Sequence, residues 1–389
     1  MSLRLPLIAG LLGAAAVLVA SCGSRTGLYG EGSSSGTLPD GAPFPDASPF
    51  VDARVDGNVA CTPGTFTFEL ATAQLMFVVD RSGSMAFALD GRQPDSNGNL
   101  PPGVLSRWDT LRDGLFQTIT PFDNQLAMGA KFYPEESPPG PAPADEACRT
   151  DVGVPIAPAR GNAASIINVF DTTTPNGGTP TSEAIRLATQ YISGTRTVAR
   201  TIIVATDGAP NCNGDLDQSR CTCTSVTGNC NRPGGEFNCL DDTRTISVVR
   251  DAFEVQKIPV YVIGIGSTER PAFLKVLDDM AVAGGRPRPT TPRHYNVQTS
   301  AELKTALQSI GDSVAKCTYL TPSAPLDPNA ISVVINGVSI PRDPTHTNGW
   351  DWVDKAFGTL AFFGSACDAA SAGSTTASQI TGVVSCTNP

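Results

Sequence analysis

A chain of 389 residues with 40% hydrophobic and 16% charged residues has the composition of an exported globular protein, not of a disordered or coiled-coil one, and has room for two folded domains. Its net charge of −10, with no basic run, excludes a nucleic-acid binder, because phosphate contacts need clustered Lys and Arg. Beyond Cys22 there are ten cysteines, Cys61, Cys148, Cys212, Cys221, Cys223, Cys230, Cys239, Cys317, Cys367 and Cys386, an even set that reads as disulfides in an exported chain.

Arg4 precedes an apolar run, Leu5 to Ala20, which exits through Ser21-Cys22-Gly23. The run is short for a membrane span and has the form of a signal peptide, residues 1–21. Val19-Ala20-Ser21-Cys22 looks like a bacterial lipobox, which implies lipid on Cys22 and a membrane anchor there. The alternative is an ordinary signal peptide cut nearby. Gly23, with no Asp after the Cys, resembles lipoproteins sorted to the outer membrane, so the expected place is the bacterial cell envelope. Residues 22–60 are rich in Gly, Ser, Pro and Asp and cannot bury a core, so they read as a tether with an end-to-end spread of about 35 Å.

From Cys61 strands alternate with helices. Leu75 to Val79 is an apolar strand of the doubly buried kind. Trp108, Leu111, Leu115 and Ile119 share a helical face, and Leu126, Met128, Ala130 and Phe132 alternate as a strand. A Pro-rich loop, a strand at Val154-Pro155-Ile156-Ala157 and a helix over Ala163 to Phe170 follow. The helix after Pro180 is expected to turn Ile185, Ala188, Tyr191 and Ile192 inward. Thr201 to Thr206 and Val260 to Gly264 read as strands, Thr245 to Val255 and the region of Phe273, Leu274, Leu277 and Met280 as helices. After a short strand near His294, Thr299 and Glu302 open a last helix with a capping-box pattern, its buried side Leu303, Leu307, Ile310 and Val314. The alternation predicts an α/β doubly wound domain over 61–317, with a mostly parallel sheet flanked by helices.

After Cys317 the helical period disappears. Ile331 to Ile335, Asn336-Gly337 and Val338 to Ile340 carry a strong hairpin signal, with further strands expected at Thr359 to Phe363 and Ile380 to Val384. Residues 318–389 read as a small all-β module stapled by Cys367 and Cys386.

The chemistry concentrates at Phe77-Val78-Val79-Asp80-Arg81-Ser82-Gly83-Ser84-Met85. A buried strand runs into one carboxylate and two hydroxyls in a tight turn, and oxygens gathered in this way suit a hard cation such as Mg²⁺. Downstream lie Gly177-Gly178-Thr179-Pro180-Thr181 and Ile202-Ile203-Val204-Ala205-Thr206-Asp207-Gly208. Taken singly, each piece has a structural reading: an Asx-turn at Asp80, a helix cap at Thr179, a common turn at Asp207-Gly208. Together, in this order, they resemble the metal-ion-dependent adhesion site of von Willebrand factor type A domains. The resemblance implies that Ser82, Ser84 and Thr179 offer hydroxyls to Mg²⁺ or Mn²⁺, with Asp80 and Asp207 acting directly or through water. It also implies a sixth ligand from the Asp or Glu of a protein partner, hence a binding function of the adhesion type. An envelope scaffold with an internally satisfied metal is the alternative.

The chain departs from simple members of that family in two places: a long Gly/Pro/Asn-rich stretch from Ala86 to Ser106, and a Cys-rich insert, 210–240, directly after Asp207. The insert, tied to Cys148, is expected to form a specificity surface, or else only to stabilise a long loop. It holds a single Cys-x-Cys and no paired Cys-x-x-Cys, a poor zinc pattern. Asn211, Asn213, Asp215 and Asp217 alternate as calcium ligands can, but without the Gly and distal Glu of an EF-hand. In this family the ends of the domain lie close, which implies a Cys61–Cys317 bridge restraining the last helix. An enzyme is not expected: His294 and His346 are the two histidines, and no HExxH, nucleophile-elbow or P-loop pattern occurs. His294 precedes its strand, which places it at the opposite end of the sheet from Ser82 and Ser84.

Overall fold

The computed structural model describes residues 59–386, except 72, 136–143, 151–152, 154, 195–198, 226–229, 267–269 and 372–379. The signal segment 1–21, Cys22, the tether up to residue 58 and Val154 lie outside the described residues. The chain starts with two short strands, β1 (Gly64–Thr67) and β2 (Glu69–Leu70), and enters β3 (Ala73–Asp80). All of β3 except Gln74 is buried, as a central parallel strand covered on both faces requires. Leu75, Phe77 and Val79 turn to one face, Met76 and Val78 to the other, with the two-residue period of a pleated strand.

The order continues through α1 (Arg107–Ile119), β4 (Ala127–Tyr133), the one-turn α2 (Ala144–Ala147), β5 (Ile156–Ala159), α3 (Ala163–Thr172), α4 (Thr181–Ser193) and β6 (Ala199–Thr206). Then come α5 (Asp242–Glu254), β7 (Val260–Ile265), α6 (Pro271–Ala283), β8 (Tyr295–Val297) and α7 (Ser300–Lys316). The strands form one six-stranded sheet in the order β5-β4-β3-β6-β7-β8, parallel except for β5, which runs antiparallel beside β4. Helices α1, α3 and α7 bury the face of Phe77 and Val79, while α4, α5 and α6 bury the face of Met76 and Val78. This is the doubly wound α/β architecture. Strand order reverses between β3 and β6, and a crevice opens at the carboxyl ends of the strands on either side of such a reversal.

The expected inward turn of Tyr191 does not occur: it is half exposed. The buried stripe of α4 runs through Ala184, Ile185, Ala188 and Ile192, and Tyr191 lies off its edge.

After α7 come β9 (Thr318–Leu320), β10 (Ile331–Ile335), β11 (Val338–Ile340), β12 (Gly349–Asp354), β13 (Thr359–Phe363), α8 (Ser365–Ser371) and β14 (Ile380–Val384). They make two antiparallel four-stranded sheets, β1-β14-β10-β11 and β12-β13-β9-β2, around Phe68, Tyr319, Val333, Trp350, Leu360 and Phe362. Asn336 and Gly337 both have positive φ (49° and 83°) at the β10–β11 hairpin, the backbone that a primed two-residue turn needs. The β module therefore takes strands from both ends of the α/β domain, and residues 64–70, read from the sequence as part of that domain, belong to these sheets.

The same pairing corrects the expected disulfides. Gly64 lies opposite Val384 in the β1–β14 ladder, which brings Cys61 to Cys386. Cys317 leads from α7 straight into β9, against the helix α8 that carries Cys367, and these two are bonded. Neither the Cys61–Cys317 bridge nor a Cys367–Cys386 staple forms, so α7 is tied to the β module and not to the start of the domain.

Candidate functional site

Sheet register assembles the site. Val79 of β3 lies opposite Ala205 of β6, which puts Asp80 level with Thr206 and one residue from Asp207, at the point where strand order reverses. The Asp80 side chain is fully buried. Its Oδ1 accepts the Ser82 backbone N–H at 2.8 Å, and its Oδ2 accepts the Thr206 hydroxyl at 2.6 Å. The Asx-turn so formed folds the chain back, so that the Ser82 and Ser84 Oγ atoms stand 3.1 Å apart. Thr206 Oγ1 in turn accepts the Gly208 N–H at 3.1 Å, which sets the direction of the loop beginning at Asp207.

The loop carrying Thr179 docks on this turn. Gly83 N donates to Gly177 O at 3.1 Å, and Asn176 N donates to Arg81 O at 2.9 Å. Asn211, the second residue of the Cys-rich insert, holds Thr179 from the other side: its Oδ1 accepts Thr179 N at 2.7 Å, while its own N donates to Thr179 O at 2.9 Å. The Cys148–Cys212 disulfide presses on the same loop. A Cβ at Gly178 would lie 2.5 Å from Cys212 Sγ and 3.0 Å from Cys148 Sγ, so only glycine fits. Two more disulfides, Cys221–Cys239 and Cys223–Cys230, close the rest of the insert. The sulfurs of Cys221, Cys230 and Cys239 lie within 4.8 Å of one another, but all three are already bonded in these two bridges.

Of the alternating Asn and Asp of the insert, Asn213 and Asp217 close Asx-turns. Asn213 donates to Asp241 at 2.8 Å and accepts Asp215 N at 3.1 Å, and Asp217 accepts both the N–H and the hydroxyl of Ser219. Asp241 also accepts the Ser182 hydroxyl at 3.1 Å, which ties the insert to the first turn of α4.

Sequence reasoning missed Arg107. It opens α1, and its guanidinium is buried among the loops: Nη1 donates to Asp207 Oδ2 at 2.7 Å and to Ser84 O at 3.3 Å, Nη2 to Gly266 O at 3.0 Å. A signal existed. A cation in the first turn of a helix opposes the positive end of the helix dipole, and such a placement calls for a buried anion. Asp80, by contrast, has no Lys or Arg partner among the described residues. Burial, and after it the negative charge of Asp207, push its carboxyl up to about 7. Two buried acids, one of them without a counter-charge, beside paired hydroxyls make an all-oxygen donor set with excess negative charge. That chemistry fits a hard divalent cation.

His294 does not lie at the far end of the sheet. β8 is short and pairs with the carboxyl half of β7, Tyr295 opposite Ile263 and so level with Ala205 and Val79, which puts His294 in the carboxyl half of the sheet, with β6 and β7 between it and β3. Its ring is buried, with Nδ1 2.6 Å from Asp278 Oδ1, and burial pulls its pKa down. His346 hydrogen-bonds Asp351 of the β module and Gly285 O, which follows α6 in the α/β domain, at 3.1 Å each.

No family model matches this sequence, and no curated protein does. Solved structures with a similar fold include the PilB minor pilin from Streptococcus sanguinis, at 18% identity and a TM-score of 0.41, covering 62% of this chain and 61% of that one. The SpaC pilus adhesin from Lactobacillus rhamnosus GG is 14% identical, with a TM-score of 0.42 over 82% of this chain and 41% of that one. The vWF domain of the type V pili tip protein Mfa5 from Porphyromonas gingivalis is 12% identical, with a TM-score of 0.39 over 63% of this chain and 96% of that one. The chain thus spans about three-fifths of the pilin and two-fifths of the adhesin. Among the described residues, no helix is long and apolar enough to cross a membrane.

Proposed function

We propose that this chain is a divalent-metal-dependent protein-binding module of the adhesion type, held at the bacterial cell envelope by lipid on Cys22. Mg²⁺ or Mn²⁺ would be held by the hydroxyls of Ser82, Ser84 and Thr179, with Asp80 and Asp207 acting directly or through water. The observation that carries this reading is Asp80: a fully buried carboxylate without a cationic partner among the described residues, one Asx-turn away from two converging hydroxyls. Burying an unpaired charge is costly, and a bound cation removes that cost. Because most of the donors are neutral, the bound ion stays under-neutralised and attracts an Asp or Glu carboxylate presented by a partner. In this reading the site's groups orient the donors for a metal and a partner carboxylate, and the role is binding, not catalysis.

The test is calorimetric titration of Mg²⁺ and Mn²⁺ into the oxidised chain lacking residues 1–22, beside Asp80→Ala and Ser82→Ala. Binding by the parent that disappears in both variants supports the site; no binding by the parent overturns it. Metal uptake without any response to an acidic peptide would turn the reading to an envelope scaffold.

A further inference from the structure

We propose that Arg107 is a resident counter-cation of the metal site, one that weakens metal binding and strengthens capture of a single carboxylate. The inference rests on the function proposed above and specifies the charge of the ligand that the site takes.

Three strand ends converge on the candidate site, and Arg107 reaches the loop after each. It bonds Ser84 O after β3, Asp207 Oδ2 after β6 and Gly266 O after β7. Its side chain and that of Asp207 are 10% and 5% exposed, so the pair is shielded from solvent and from salt screening. The guanidinium also lies 5.8 Å from the centroid of the Phe87 ring. No backbone rule puts an arginine here, since the first turn of α1 disfavours a cation. What holds it is the carboxylate of Asp207, the group that the site would otherwise offer whole to a metal or to its water.

The charges then balance as follows. Asp80 and Asp207 together with Arg107 leave one net negative charge, and a divalent ion changes this to one net positive charge. A single Asp or Glu carboxylate from a partner brings the loaded site to neutrality. Without Arg107 the empty site would carry two negative charges and the loaded site none. Metal binding would then be stronger, and the pull on a partner carboxylate weaker. Arg107 therefore acts on the two ligands in opposite directions. A residue that merely supported the loops would, on removal, weaken both.

The experiment compares the oxidised chain lacking residues 1–22 with Arg107→Gln and Arg107→Lys at pH 8. Mn²⁺ uptake is measured by calorimetry. A capped peptide carrying one Glu is then titrated into the Mn²⁺-loaded proteins and followed by water-proton relaxation, and thermal unfolding in EDTA reports folding. Arg107→Gln is expected to bind Mn²⁺ at least tenfold more tightly and the peptide at least tenfold more weakly, with Arg107→Lys close to the parent in both. Parallel weakening of metal and peptide, or no change in either, would overturn the inference while leaving the metal site intact. Absence of Mn²⁺ uptake by parent and variants alike would overturn the proposed function itself, and this inference with it.

Discussion

Asp80→Asn is expected to stabilise the metal-free protein, although it removes a residue from the centre of the site. Burial and the charge of Asp207 push the Asp80 carboxyl up to about 7, while in the unfolded chain it titrates near the ordinary carboxylate value. A group whose folded pKa is raised contributes stability below its unfolded pKa and loses it as pH rises through the folded value. The contribution is therefore present below about pH 4 and gone above about pH 7, where the folded chain must hold the buried charge. The interval from the ordinary value to about 7 corresponds to roughly 4 kcal/mol at most. Asn keeps a carbonyl for Ser82 N but no longer accepts the Thr206 hydroxyl, which costs about 1–2 kcal/mol. The net gain at pH 8 in EDTA is about 2 kcal/mol, or roughly 3–6 °C in Tm for a unit of this size. Saturating Mg²⁺ should reverse the order, raising the Tm of the parent and leaving Asp80→Asn unchanged. Scanning calorimetry at pH 4.5 and pH 8, with EDTA and with Mg²⁺, reads all four states. A parent that at pH 8 in EDTA is as stable as Asp80→Asn would refute the claim that Asp80 is an uncompensated buried charge.

Further outcomes follow from the packing around Thr179 and in the β module. Gly178→Ala puts a Cβ 2.5 Å from Cys212 Sγ and 3.2 Å from Asn211 Oδ1, an overpacking worth about 1–3 kcal/mol; it should also cost at least tenfold in Mg²⁺ affinity, read by calorimetry, because Asn211 holds the Thr179 backbone. The pair Cys148→Ser with Cys212→Ser should lower stability by about 2–4 kcal/mol in chemical denaturation and weaken Mg²⁺ binding, whereas Cys61→Ser with Cys386→Ser should destabilise without touching metal affinity. Trp350→Ala, at a position 1% exposed in the β-module core, should cost roughly 3–5 kcal/mol and leave Mg²⁺ binding by the folded chain unchanged.

Much of the fold was legible because its central strands are buried on both faces. β3, β6 and β7 carry the apolar runs Leu75–Val79, Ile202–Ala205 and Val260–Ile265, followed within two residues by Asp80, Asp207 and Gly266 where the sheet meets the crevice. The Asn336-Gly337 turn announced its hairpin for an equally local reason. What stayed hidden depends on distant partners. β1 and β2 are four and two residues long and become strands only because β14 and β9 pair with them. β12, Gly-Trp-Asp-Trp-Val-Asp, carries acids that read as loop, yet Asp351 is bonded to Arg342 at 2.7 Å and to His346 at 3.1 Å. Cysteine pairing follows from that topology and could not precede it. In the site, Asp80, Ser82 and Ser84 were visible as one local turn. Arg107 and Asn211 were not, since each acts on a residue brought to it by the sheet: Asp207, 100 positions away, and Thr179, 32 positions away.

The central claim, that this crevice holds a divalent cation, is tested most directly by anomalous diffraction from crystals grown with Mn²⁺. One strong peak bounded by oxygens of Ser82, Ser84 and Thr179, and lost in crystals of Asp80→Ala, is the expected result. No peak there, or a peak confined to the 210–240 insert, would contradict the account.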